Sequence, residues 1–173
     1  MAGRLLAEIR QNKPFEMLEE EAVLNIHRTS EVLGQALVEF LKEYQLSHTQ
    51  YNVLRILRGA GSDGATCSGI AERMITRDPD ITRLLDRLEG RGLVARERSR
   101  EDRRVVVTTI TGTGLDLLAS LDEPLRNFLR ARMGGMERGA LTGLIEQLEQ
   151  VRELFTNPTK IDEKENDNGN HSI

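Results

Sequence analysis

Thr82, Arg83, Asp86 and Arg87 are spaced so that all four line one side of a helix. Arginine can hold a guanine edge through paired N–H bonds, and a threonine methyl can touch the methyl of thymine. Such a front, carried on a helix with an apolar back, is suited to a DNA major groove. A plainer reading is a solvated charged face in which Arg83 and Asp86 form a local ion pair. Further along lies the run Ser99-Arg100-Glu101-Asp102-Arg103-Arg104. Arginines at the tip of a charged loop suit narrow minor grooves better than lysines do. Residues 81–109 carry eight basic side chains, all arginine, and five acidic ones, a local +3 in a chain of formal net charge −4. Uniformly basic nucleic-acid binding is excluded, so any DNA contact must come from this patch.

The elements that would hold these side chains can be read from periodicity. In Asp78–Gly92, Asp78 is a suitable N-cap and Pro79 a suitable first helical residue. Ile81, Leu84, Leu85 and Leu88 form the apolar back, and Gly90 and Gly92 end the helix. Upstream, Ser47-His48-Thr49-Gln50 is a capping box that predicts a helix over about 48–58. A glycine-rich loop, Gly59–Gly64, follows, and Thr66 or Cys67 opens the next helix, with Ile70, Ala71 and Met74 apolar. Two short helices with so brief a connection, Thr76-Arg77, make a helix-turn-helix. Downstream, Ala95–Arg98 alternates and Val105–Ile110 is β-branched, which predicts a β-hairpin with the charged run as its tip. The sum is a winged helix.

Long helices flank it. Residues 15–44 carry Leu18, Ala22, Ile26, Leu33, Leu37, Phe40 or Leu41, and Tyr44 at helical spacing, either continuous or broken near Thr29-Ser30. Thr111 starts a second long helix, which Pro124 should bend and Gly134-Gly135 should break. A last helix spans about 138–155. These stripes are longer than a small domain can bury, which implies a partner helix from a second subunit. The expected organisation is an N-terminal arm (1–14), a dimerisation region (15–46 with 112–156), a winged helix-turn-helix (47–111) and a disordered polar tail (157–173). The fold class is mainly α with a small β-hairpin wing.

Other functions find little support. The single cysteine among 173 residues forms no internal disulfide, which fits a reducing, cytoplasmic setting. Cys67 reads as a small, partly buried structural residue, although a site near a helix N-terminus would lower its pKa. No segment is apolar enough for a membrane span, and no signal peptide is visible. Three scattered histidines make a metal site improbable, and the sequence lacks zinc-hydrolase, dinucleotide and phosphate-loop motifs. Neither an enzyme nor a cofactor is expected. The competing reading is a winged-helix protein-interaction module, which would require an apolar front on residues 79–90.

The stretch Thr66–Gly114 resembles the multiple antibiotic resistance regulator (MarR) family of bacterial winged-helix repressors. The resemblance lies in Ile70-Ala71-Glu72-Arg73-Met74, in Ile81–Leu88 followed by Gly92-Leu93-Val94, in Asp102-Arg103-Arg104, and in Thr111 with Gly114. Ile110 stands where the family usually has leucine. The resemblance implies a homodimer with long N- and C-terminal dimerisation helices, binding a pseudo-palindromic double-stranded operator and acting as a repressor. Thr82 and Arg83 would read bases, with Asp86 and Arg87 beside them. Arg104 would enter the minor groove, held by Asp102, within a wing patch that includes Arg98, Arg100 and Arg103. Ser68, Arg73 and Arg77 would contact phosphate. The resemblance also implies release by a small aromatic or phenolic effector, for which His27, Tyr44, His48 and Tyr51 lie on suitable segments. By residue type alone those four read first as ordinary core or surface residues.

Overall fold

The computed structural model describes residues 4–76, 80–99 and 102–157. Helices α1 (Arg4–Glu8), α2 (Leu18–Lys42) and α3 (His48–Ala60) are followed by a 3-10 turn, Gly61–Asp63, and a two-residue strand β1 (Ala65–Thr66). Then come α4 (Cys67–Arg73), α5 (Ile81–Gly90), β2 (Val94–Arg98), β3 (Val106–Ile110), α6 (Gly112–Met133) and α7 (Arg138–Thr156). The chain divides into two compact units at Asp122/Glu123, inside α6 and next to Pro124.

The first unit is the winged helix with α1 and α2. Its α3 begins as the capping box dictates: Ser47 Oγ accepts from Gln50 N, and Gln50 Oε1 accepts from Ser47 N. The buried face of α3 presents Val53, Leu54 and Leu57 to α4 and α5. Ile70, Leu84, Leu85 and Leu88 fill the space from the other side. Arg58 makes a two-pronged bond to Asp122, at 2.8 and 3.1 Å, which ties α3 to α6. Asn52 is buried, and its Oδ1 accepts from Ile75 N at 3.0 Å, so α3 also holds the connection that leaves α4.

The sheet is antiparallel in the order β1–β3–β2. Val94 pairs with Ile110 and Arg98 with Val106, while Ala65 pairs with Thr108. Gly64, with φ of 63°, makes the entry to β1 possible, because a Cβ there would lie 2.5 Å from the Thr108 carbonyl. Thr111 joins the sheet to α6: its Oγ1 donates to Gly92 O at 2.7 Å and accepts from Gly114 N at 3.1 Å. Gly114 is required by close approach, since a Cβ would fall 2.3 Å from Leu93 O and 2.7 Å from Ile110 Cγ1.

Several expectations need correction. The helix α2 is continuous through Thr29-Ser30, since neither residue removes a backbone donor. The α5 helix starts at Ile81 and is capped by Asp80, whose Oδ1 accepts from Arg83 N at 3.1 Å. Asp80 thus takes the capping role expected of Asp78; Asp78 and Pro79 lie outside the described residues. The arm contains the short helix α1, with Leu5 buried, and β1 was not expected. The region 59–64 is helix end and 3-10 turn rather than open loop. Of the expected tail, 158–173 lies outside the described residues. In the second unit, residues 123–157, α6 ends at Met133 and α7 begins at Arg138, and α7 buries no residue within this chain.

The close approach at Gly114 has a measurable consequence. Gly114→Ala should destabilise the fold by about 1–3 kcal/mol, as overpacking does. Gly143→Ala, at a helical site with nothing within 4 Å, should instead stabilise it by several tenths of a kcal/mol, roughly the difference in helix propensity. Urea melts of the two variants check both signs.

Candidate nucleic-acid interface

The front of α5 is exposed as its spacing requires. Ile81, Leu84, Leu85 and Leu88 are buried, and Thr82, Arg83, Asp86 and Arg87 face outward. Arg83 folds back on the cap, with Nε 3.1 Å from Asp80 Oδ2. The local pair with Asp86 that the plainer reading offered is not formed, because Arg83 pairs with the N-cap carboxylate instead. Thr82 Oγ1 lies 3.9 Å from Cys67 Sγ, so the first turns of α4 and α5 meet at the exposed front of α5. Cys67 is exposed there, not partly buried, because it occupies the outward side of the first turn of α4.

Among the expected phosphate contacts, Ser68 is exposed on the first turn of α4, with its hydroxyl 3.0 Å from Thr66 Oγ1. Arg73 is exposed at the far end of α4, where its guanidinium reaches toward Gly59 of α3. Arg77 lies outside the described residues.

The wing is closed by Ser99 N donating to Val105 O and Val105 N to Asp102 O. Asp102 Oδ1 accepts from the backbone N–H of Arg104 at 2.9 Å. The aspartate thus shapes the turn by binding the main chain two residues on, as Asx turns do. The expected side-chain bond between Asp102 and the Arg104 guanidinium is replaced by this backbone contact. Arg98 Nη1 donates to Arg103 O at 3.4 Å, bracing the tip from the strand. Arg98, Arg103 and Arg104 are all exposed; Arg100 lies outside the described residues.

Arg91 and Arg96 of the basic window tie separate elements together. Arg91 Nη1 donates to the carbonyl of Gln45 at 2.6 Å, linking the end of α5 to the α2–α3 connection. Gln45 is itself left-handed, with φ of 55°. Arg96 of β2 binds two carboxylates on α5. Its Nη2 is 2.6 Å from Asp86 Oδ1, and its Nε and Nη2 are 2.9 and 2.5 Å from Glu89 Oε2. Asp86 therefore spends one oxygen on the strand. Sequence spacing gave no signal for Arg96, since an arginine in an alternating strand reads as solvent-facing. The side-chain hydrogen bond from Arg96 holds the Glu89 carboxyl below the usual carboxylate range, and Glu89 in turn raises the Arg96 guanidinium.

The four residues expected near an effector lie in different surroundings. His48 lines an open cavity of about 480 Å³ with Glu31, Gly34, Gln35, Val38 and Glu39. Tyr51 is buried beneath Arg55, whose guanidinium lies 5.8 Å from the ring centroid. Tyr44 packs on Phe40, with ring centroids 5.7 Å apart, and His27 is exposed on α2. None of these three lines that cavity. Among the described residues no cluster of three or more His, Cys, Asp or Glu could hold a metal, and no helix is long and apolar enough to cross a membrane.

The Glu89–Arg96 contact predicts a pH dependence. A carboxyl whose folded pKa is depressed contributes stability that is complete above its unfolded pKa and is lost as pH falls through the folded one. Glu89→Gln should therefore lower Tm at pH 7 and converge with the parent only in acid below the ordinary glutamate range, once the depressed carboxyl is protonated. Thermal melts across the acid range check this, and a constant Tm difference would contradict it.

Comparisons with known proteins agree with this geometry. The model of the MarR family matches residues 46–106. The crystal structure of a MarR transcription factor from Planctomyces limnophilus is 38% identical, covering 81% of this chain and 98% of that one, with a TM-score of 0.60. The HTH-type transcriptional regulator PrsX of Escherichia coli is 34% identical over 94 residues, 54% of this chain; the match spans only 57% of PrsX. The fold is also that of MepR from S. aureus, solved as a DNA complex, with a TM-score of 0.67 at 19% identity and coverage of 74% and 93% of the two chains. The chain belongs to the MarR family of winged-helix transcriptional regulators.

Proposed function

We propose that the chain is a sequence-specific DNA-binding repressor that acts as a homodimer on a pseudo-palindromic operator. One observation carries this reading: the side of α5 opposite its buried leucines displays Thr82, Arg83, Asp86 and Arg87, on the same unit as an arginine-tipped hairpin. Thr82 and Arg83 are the proposed base readers, with Arg87 and the free oxygen of Asp86 beside them. Arg104 is the proposed minor-groove residue, with Arg98, Arg100 and Arg103 adding to the wing's positive field. Ser68, Arg73 and Arg77 are proposed to contact phosphate and fix register. MepR on DNA supports a winged helix of this fold as a duplex reader.

Pairing is proposed through 15–46 and 112–156, with 47–111 as the reading domain. The support is apolar surface left open within one chain: Leu18, Val32, Leu33 and Val38 on α2, and Leu144, Ile145, Leu154 and Phe155 on α7 are exposed. Surface of this kind marks an interface. Two recognition helices would then meet successive major grooves, about 34 Å apart. A small aromatic or phenolic effector belongs to the same reading. The cavity beside His48 is its proposed place, where binding against α2 would bear on the pairing helix. Work on the chromosome implies a cytoplasmic setting. A protein-interaction role is disfavoured, because none of the exposed large hydrophobic residues described falls on α5.

Selection of a random duplex library by the purified chain tests this reading, followed by fluorescence anisotropy on selected and scrambled duplexes. Arg83→Ala should cost about 1–3 kcal/mol on the selected duplex and relax preference at one base pair. Arg104→Ala should weaken binding through the flanks, and affinity should fall steeply with salt. Equal small losses on both duplexes would count against these roles.

A further inference from the structure

We infer that Arg96 is a positioning residue for DNA reading, setting where the wing stands relative to the recognition helix. The inference rests on the DNA-binding function proposed above. Alternation along β2 puts Val94, Arg96 and Arg98 on one face of the strand. Val94 is in the core, Arg96 is against α5, and Arg98 is at the tip, holding the Arg103 carbonyl. One file of side chains thus runs from core to wing tip, and Arg96 is the member that grips the helix.

The grip is directional. Asp86 and Glu89 lie three residues apart on α5, so their carboxylates converge on one guanidinium from adjacent turns. Nη2 is shared between them while Nε adds a second bond to Glu89. A planar donor fork engaged on two sides fixes orientation as well as distance. The Arg96 side chain is only 25% exposed, so the grip is more shielded than an ordinary surface pair. Asp86 adjoins Arg87 on the reading front, and so the same contact reaches from the strand to the edge of the groove-facing surface. Arg96 also neutralises one of two carboxylates that DNA phosphate would otherwise repel. Charge and positioning therefore have to be separated by experiment.

The probe is a duplex enriched from a random library by the wild-type chain, used at full length and trimmed of the flanking base pairs that the wings would cover. Arg96→Met should weaken binding to the full-length duplex by about tenfold, the equivalent of one charged hydrogen bond. On the trimmed duplex, where wing placement does not matter, the loss should be several times smaller. Arg96→Lys keeps the cation but not the planar fork, and should remain deficient at full length. Equal fold-losses on the two duplexes, or complete restoration by Arg96→Lys, would overturn the positioning role. Should Arg96→Met melt below the assay temperature, Glu89→Gln loosens the same grip from the helix side without touching the reading front. It is judged by the same comparison. Failure of the wild-type chain to enrich any duplex would instead refute the DNA-binding reading, and the inference with it.

Discussion

A ten-residue helix such as α5 is too short to persist by itself in water. It exists because Ile81, Leu84, Leu85 and Leu88 are buried against the core formed with α3, α4 and β2. Burying four aliphatic side chains of this kind is worth several kcal/mol, at about 1.5–3 kcal/mol each as an upper bound. That burial leaves the helix one rotational setting about its axis. Thr82, Arg83, Asp86 and Arg87 are outward because their neighbours cannot be. The orientation of the polar front of α5 depends on this constraint.

Polar ties then fix what apolar packing leaves free. Packing is tolerant of small slides along a helix axis, whereas hydrogen bonds with defined donors are not. The α5 helix is held at its start by the Asp80 cap, at its middle by Arg96 and at its end by Arg91 on the Gln45 carbonyl. Asn52 holds the preceding connection from below. Thr111 and Gly114 set the return of the chain from sheet to α6 at contact distance. The resemblance to the family at Thr111 and Gly114 thus has a physical cause: a hydroxyl that caps one element while bonding another, and a missing Cβ where a helix touches a carbonyl.

The apolar back of α5, the capping box at Ser47, the hairpin and both long flanking helices were legible in the sequence, because each leaves a periodic or local signal. Details carried by a single atom were not. The cap expected at Asp78 falls to Asp80, two residues on, whose side-chain oxygen reaches the Arg83 amide. Asp102 beside Arg104 suggests an ion pair, yet the shorter path leads to the backbone. The strand β1 is two residues long and has no periodicity to detect. Arg96 and Arg91 count toward a basic patch by charge alone, although Arg96 is engaged against α5 and Arg91 bonds the Gln45 carbonyl at the surface. His27, Tyr44, His48 and Tyr51 share segments, yet Tyr51 is buried while His27 is exposed.

Pairing of two such chains on one face of the duplex is the claim that joins the fold to the proposed function. Spacing of the two half-sites tests it most directly. With a selected operator, inserting about five base pairs at the centre turns one half-site to the opposite face of the DNA, since a turn takes about ten. Specific affinity should then fall to the level of a scrambled duplex. Undiminished affinity for the expanded operator would contradict a paired reader, because it would mean that each winged helix binds alone.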